Sequence, residues 1–99
     1  MEAMFVEATE FNQGISDWDV SGVTAMHSMF YYATNFNQDI SNWDVSEVKD
    51  MSGMFYGALN FDQDLSEWNV ARVNFWDAWA IDSGMQDYPE QWPPKFREQ

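Results

Sequence analysis

Residues 1–25, 26–50 and 51–75 are three copies of one 25-residue unit, aligned without a gap. The first two copies share 15 of 25 residues and the second and third share 13. The fixed columns are mostly apolar: Met1/Met26/Met51, Met4/Met29/Met54, Phe5/Phe30/Phe55, Ala8/Ala33/Ala58 and Phe11/Phe36/Phe61, then Ile15/Ile40/Leu65, Trp18/Trp43/Trp68, Val20/Val45/Val70 and Val23/Val48/Val73. A unit this short cannot enclose its own apolar face, so the units have to stack and share one core. Trp76 and Trp79 begin a fourth copy in the Met columns, and the pattern is lost after Ser83.

The two halves of the unit have different periods. Met26, Met29, Phe30 and Ala33 fall at i, i+3, i+4 and i+7, which predicts a short helix with one buried face. Thr24, Asp50 and Asn74 stand where such helices would take their N-caps. In the second half Trp43 and Val45 alternate with Asp44 and Ser46, which predicts a strand with its polar side outward. The string from Ile40 through Trp43 and Val45 matches the L-x-x-L-x-L spacing of leucine-rich repeats, whose units run about 20–29 residues. The expected fold is therefore α/β: a short leucine-rich-repeat-like solenoid with one strand and one helix per unit. It makes a single domain over 1–99, with units 1–25, 26–50 and 51–75 and a C-terminal cap over 76–99. In the cap, Trp76, Trp79 and Ile81 would cover the last unit, Tyr88-Pro89 and Trp92-Pro93-Pro94 would turn the chain across it, and the tail from Lys95 would fray.

The run Phe36-Asn37-Gln38-Asp39-Ile40-Ser41-Asn42-Trp43-Asp44-Val45-Ser46-Glu47-Val48, followed by Met51-Ser52-Gly53-Met54-Phe55, resembles the BspA-like leucine-rich repeat, a 25-residue lipoprotein-type repeat of bacterial and mycoplasma surface proteins. The resemblance covers residues 1–75. It implies a repeat scaffold for adhesion and protein–protein contact rather than catalysis.

Charge narrows the function. Seventeen acidic residues against 4 Lys and Arg give a formal net charge of -13. Such a surface argues against direct binding to nucleic acid or an anionic membrane and favours a basic protein partner. An apolar fraction of 45% and an aromatic fraction of 18% separate the chain from disordered acidic tails. Cysteine is absent, so disulfide and thiol chemistry are excluded. No apolar run reaches the roughly 18 residues of a membrane helix. The acidic start at Met1-Glu2 is unlike a signal peptide. These features suggest a cytoplasmic protein, in a host cell if phage-encoded, or a cell-surface one if cut from a secreted parent.

No residue pattern predicts an enzyme. His27 is the only histidine and sits between two core Met positions. The pairs Asp17/Asp19 and Asp62/Asp64 lie on repeating turns, where solvation or backbone hydrogen bonding accounts for them. A calcium site needs six to eight oxygen ligands, and an Asp-x-Asp pair does not supply them. No cofactor or metal site is expected. What stands out is the acidic columns. Asp17, Asp19, Asp44 and Glu67 would point outward along the strands, flanked by Asp39, Asp64 and Glu47, at about 4.8 Å between units. Residues 1–75 hold 12 acids against Lys49 and Arg72. Rows of carboxylates at that spacing can imitate the phosphates of nucleic acid, so these seven residues are the candidate partner-binding set. The expected partner is the basic surface of a protein such as a nucleic-acid-binding complex of the CRISPR or phage-defence kind. The alternative is an adhesion module from a longer repeat array. The first unit has no visible cap, which leaves its edge, near Trp18–Val20 and the Met1/Met4/Phe5 face, open to a homodimer contact.

Overall fold

In the computed structural model, which describes residues 4–97, the peptide groups of the expected helix bond sideways to the neighbouring unit. The N–H groups of Met26, Ser28, Phe30 and Tyr32 donate to the carbonyls of Asp50, Ser52, Met54 and Tyr56 at 2.7–3.0 Å, each 24 residues ahead. The intervening N–H groups of Met29, Tyr31 and Ala33 close tight turns onto Met26, Ser28 and Phe30. Units one and three repeat the pattern, as in Phe5 to Met29 and Phe55 to Trp79. Every second peptide thus ties one unit to the next, and the others bend the chain within a unit.

The α/β leucine-rich-repeat solenoid expected from the sequence does not form. Among the described residues there is no α-helix and no β-strand, only turns, two isolated parallel bridges (Ala25 with Asp50, Asp50 with Phe75) and two 3₁₀ turns, Pro89–Gln91 and Pro94–Arg97. The helix fails because the third and seventh positions of the unit take left-handed backbone. Ser28, Gly53 and Ala78 have φ of 57°, 63° and 56°, and Glu7, Tyr32, Gly57 and Asp82 have φ of 57–74°. Two left-handed residues four apart cannot belong to a right-handed helix. The i, i+3, i+4, i+7 spacing survives because consecutive four-residue turns also bring those positions inward: Met26, Met29, Phe30 and Ala33 are fully buried.

The strand fails for a different reason. Around Trp43 and Val45, the Trp43 N–H closes a turn on Ile40 and the Val48 N–H closes one on Val45. Between them the Asp44 carboxylate accepts the Ser46 N–H at 3.0 Å and its hydroxyl at 2.6 Å. Side chains that capture the N–H two residues ahead compete directly with ladder pairing.

Aromatic rings run through the core as a continuous pile. Phe5, Phe30 and Phe55 stack 5.5 Å apart with interplanar angles of 6°. Phe11, Phe36 and Phe61 form a parallel column at 5.5–5.7 Å, and the two columns touch at 4.1–4.2 Å within each unit. Trp79 ends the pile edge-on against Phe55. Two polar ladders hold the register. Asn12 Oδ1 accepts the Asn37 N–H and Gln38 Nε2, and Asn37 Oδ1 accepts the Asp62 N–H and Gln63 Nε2. The indole Nε1 of Trp43 donates to the Ile15 carbonyl and that of Trp68 to the Ile40 carbonyl, both at 3.1 Å.

The two ends of the stack differ. At the C-terminal end Phe96 is fully buried against Trp76 and Trp79, and the Leu65 N–H donates to the Gln91 carbonyl. Lys95 Nζ donates to the carbonyls of Val70, Ala71 and Val73, and Arg97 to those of Pro89, Glu90 and Trp92. The tail expected to fray at Lys95 is therefore anchored through Arg97, and residues 98–99 lie outside the described part. Ile81, expected in the cap, is 42% exposed. At the N-terminal end Trp18 is 40% exposed while Trp43 and Trp68 are buried, so the expected buried Trp column has an open first member. Met4 is exposed and Phe5 half-buried there, and Met1 lies outside the described residues.

Candidate partner-binding surface

The acidic columns begin as turn chemistry. An Asp-x-Ser sequence recurs at Asp19, Asp39, Asp44, Asp50 and Asp64. In the first four, Oδ1 accepts both the N–H and the hydroxyl of the serine two residues on, at 2.6–3.0 Å. Asp64 Oδ1 accepts the Ser66 N–H at 3.0 Å, and Asn69 Oδ1 accepts the Ala71 N–H at 3.1 Å in the column of Asp19 and Asp44. The turn therefore needs an acceptor oxygen, and an amide supplies it as a carboxylate does.

These bonds fix the charge state. The serine hydroxyl first, and then the serine N–H, hold Asp19, Asp39 and Asp44 below the ordinary aspartate value of 3.8, and Ser66 holds Asp64 below it in the same way. Asp19 opposes this slightly at Asp44, which identifies the two as like-charged neighbours in adjacent units. All four are exposed and ionised at neutral pH. Each lends Oδ1 to its turn, and among the described residues no hydrogen bond engages Oδ2.

The seven residues proposed from sequence lie in stacked columns of successive units. Asp19 and Asp44 share one column, Asp39 and Asp64 a second, and Asp17 and Glu67 bracket Asn42 in a third. All of these are exposed. Glu47 differs: it is half-buried and its Oε1 accepts from Arg72 Nη1 at 2.6 Å, so an adjacent unit neutralises its charge. Asp50, expected from the sequence to cap a helix, is instead the partly buried member of the Asp-x-Ser set, and the serines that hold the carboxylates in place were not expected. The Asp-x-Ser spacing itself was the available signal. Among the described residues no cluster of three His, Asp or Glu side chains could hold a metal, and no helix is long and apolar enough to cross a membrane.

A family model described as "Mycoplasma protein of unknown function, DUF285" matches residues 1–88. No curated protein and no solved structure matches the chain.

Proposed function

The chain belongs to the family described as "Mycoplasma protein of unknown function, DUF285", and we propose that it is a non-catalytic protein-binding repeat module whose acidic columns dock on a basic partner. The observation that carries this reading is the arrangement of Asp19, Asp39, Asp44 and Asp64. Hydrogen bonds hold their carboxylates ionised and in fixed positions, unit upon unit, with an oxygen of each left for a partner. Fixed acceptors at repeating intervals suit a surface that normally receives phosphates, and the finer reading is a nucleic-acid-mimicking inhibitor of a nucleoprotein complex, for example in phage defence. Such an inhibitor acts in the cytoplasm of the host cell.

A second reading is an adhesion module of a longer BspA-like array. The open first unit favours it: among the described residues no acceptor meets the Trp18 indole N–H, whereas Trp43 and Trp68 each find one in the preceding unit. A preceding unit, or a second copy in a homodimer, would fill that place.

The test is capture of host-lysate proteins on the immobilised chain, eluted by rising salt or by duplex DNA. Asp19→Asn/Asp44→Asn is compared with Glu10→Gln/Asp77→Asn, which removes the same charge elsewhere. The decoy reading expects a DNA-displaceable, basic partner lost mainly with the first pair. Equal loss with both pairs reduces the columns to bulk charge and overturns it.

A further inference from the structure

The ladder that joins the units ends on two unused carbonyls. The carbonyls of Met29, Met54 and Trp79 accept the N–H groups of Phe5, Phe30 and Phe55, and those of Tyr31, Tyr56 and Ile81 accept the N–H groups of Glu7, Tyr32 and Gly57. Met4 and Val6 hold the same two positions in the first unit, and among the described residues no donor meets either carbonyl. Met4 is 54% exposed and Val6 38%. The phenylalanine column is open at the same place. Phe30 is stacked on both sides and fully buried, whereas along the column Phe5 is stacked on Phe30 alone and stays half-buried.

The ladder itself defines what completes it: a segment whose N–H groups, two residues apart, donate to Met4 and Val6. In each unit the first of these donors belongs to a phenylalanine of the core column, Phe5, Phe30 or Phe55, so this place calls for an aromatic ring on the open side of Phe5. The second donor stands one layer above Glu7, with Glu10 three residues further along. Both acids are exposed, and the ion pair among the described residues is Arg72 with Glu47, so neither is neutralised. A cation two residues after the ring is attracted there and a carboxylate is repelled. A second copy of this chain fits worse, because it carries a net charge of -13 and would set Glu7 and Glu10 against acids of its own.

We propose that the Met4–Val6 edge of the first unit is a docking site for an extended segment of a basic partner protein, one that carries an aromatic residue and, two residues later, Lys or Arg. Main-chain hydrogen bonds to the two free carbonyls supply affinity, and the open side of Phe5 and the Glu7 carboxylate supply specificity, as when a strand adds to an open sheet edge. The inference rests on the reading of the chain as a binder of basic partners, and it adds an anchor outside the acidic columns.

The test is an NMR titration of the isotope-labelled chain with the peptide acetyl-Thr-Phe-Thr-Lys-Thr-amide, against analogues with Gln in place of Lys and Ser in place of Phe. Saturable shifts are expected at the carbonyl carbons of Met4 and Val6 and at the ring of Phe5, and not at the carbonyl carbons of Met54 and Tyr56, which already accept bonds from the preceding unit. The lysine peptide should bind about two- to fivefold more tightly than its glutamine analogue, the factor expected for an exposed ion pair, and Glu7→Gln should erase that preference. The serine analogue should give no saturable shift. Asp39→Asn/Asp64→Asn should leave the shifts in place, so the edge and the columns fail or succeed separately. Sedimentation of the chain alone should show a monomer at the titration concentration. No saturable shift at Met4 and Val6, a lysine preference retained in Glu7→Gln, or a dimer that covers Phe5 would each overturn the proposal.

Discussion

Trp18, Trp43 and Trp68 occupy one column of nearly identical units, which makes them an internal comparison. Trp43 is 5% exposed and its Nε1 donates to the Ile15 carbonyl. That carbonyl also accepts the Trp18 N–H, so truncating Trp43 does not orphan it. The cost of Trp43→Ala is then the lost indole and the cavity it leaves, about 3–5 kcal/mol. Trp43→Phe retains most of the packing and loses one hydrogen bond, about 1 kcal/mol plus a fraction for the smaller ring. Trp18 is 40% exposed, and water can enter where its ring was. Its truncation to Ala should cost only about 1–2 kcal/mol, the transfer cost of a half-buried ring. Urea unfolding of the three variants at one protein concentration gives the values directly. An equal loss at Trp18 and Trp43 would refute the account of an open first unit, because it would require a covered ring. A loss below about 1 kcal/mol for Trp43→Ala would refute the stacking itself.

Asp44→Asn should preserve its turn, as Asn69 does in the same column, and should hold or raise stability by relieving repulsion from Asp19; Asp44→Ala should cost about 1 kcal/mol by urea unfolding, and equal effects would remove the turn argument. Gly57→Ala places a Cβ 2.4 Å from Tyr32 Cδ1 at a φ of 74°, so it should destabilise by about 1–3 kcal/mol, and the double variant with Tyr32→Ala should recover the part due to the clash. The lowered values of Asp19, Asp39, Asp44 and Asp64 carry a sign: the stability they supply is complete above the unfolded-state value of 3.8 and is lost as pH falls through their lower folded values. Carboxyl-carbon NMR titrations should place all four midpoints below 3.8, and midpoints at or above it would contradict the hydrogen-bonded turns.

The 25-residue register was legible because it is written in side chains, and the buried columns of Met26, Phe30, Phe36, Val45 and Val48 follow it closely. The backbone was not, because a train of four-residue turns and a helix bury the same positions. Two residues did carry the distinction. Gly53 and Gly57, four apart in an eight-residue segment, each cost a helix about 1 kcal/mol, and both are left-handed in the fold. Asp-x-Ser likewise marked turns where the Trp43 and Val45 alternation suggested a strand. The exposure of Trp18 and the anchoring of Lys95 depend on what lies above and below each unit, which a repeat taken alone does not specify. The acidic residues of the candidate surface were legible as columns, but their role as turn acceptors and the pairing of Glu47 with Arg72 needed the neighbouring residues in three dimensions.

The central structural claim is that alternate peptides of residues 26–32 bond to the next unit rather than within a helix. Through-hydrogen-bond scalar couplings in isotope-labelled protein observe this directly. The account predicts couplings from the amide nitrogens of Ser28, Phe30 and Tyr32 to the carbonyl carbons of Ser52, Met54 and Tyr56. A coupling from the Phe30 nitrogen to the Met26 carbonyl carbon, the bond of an α-helix, would contradict it.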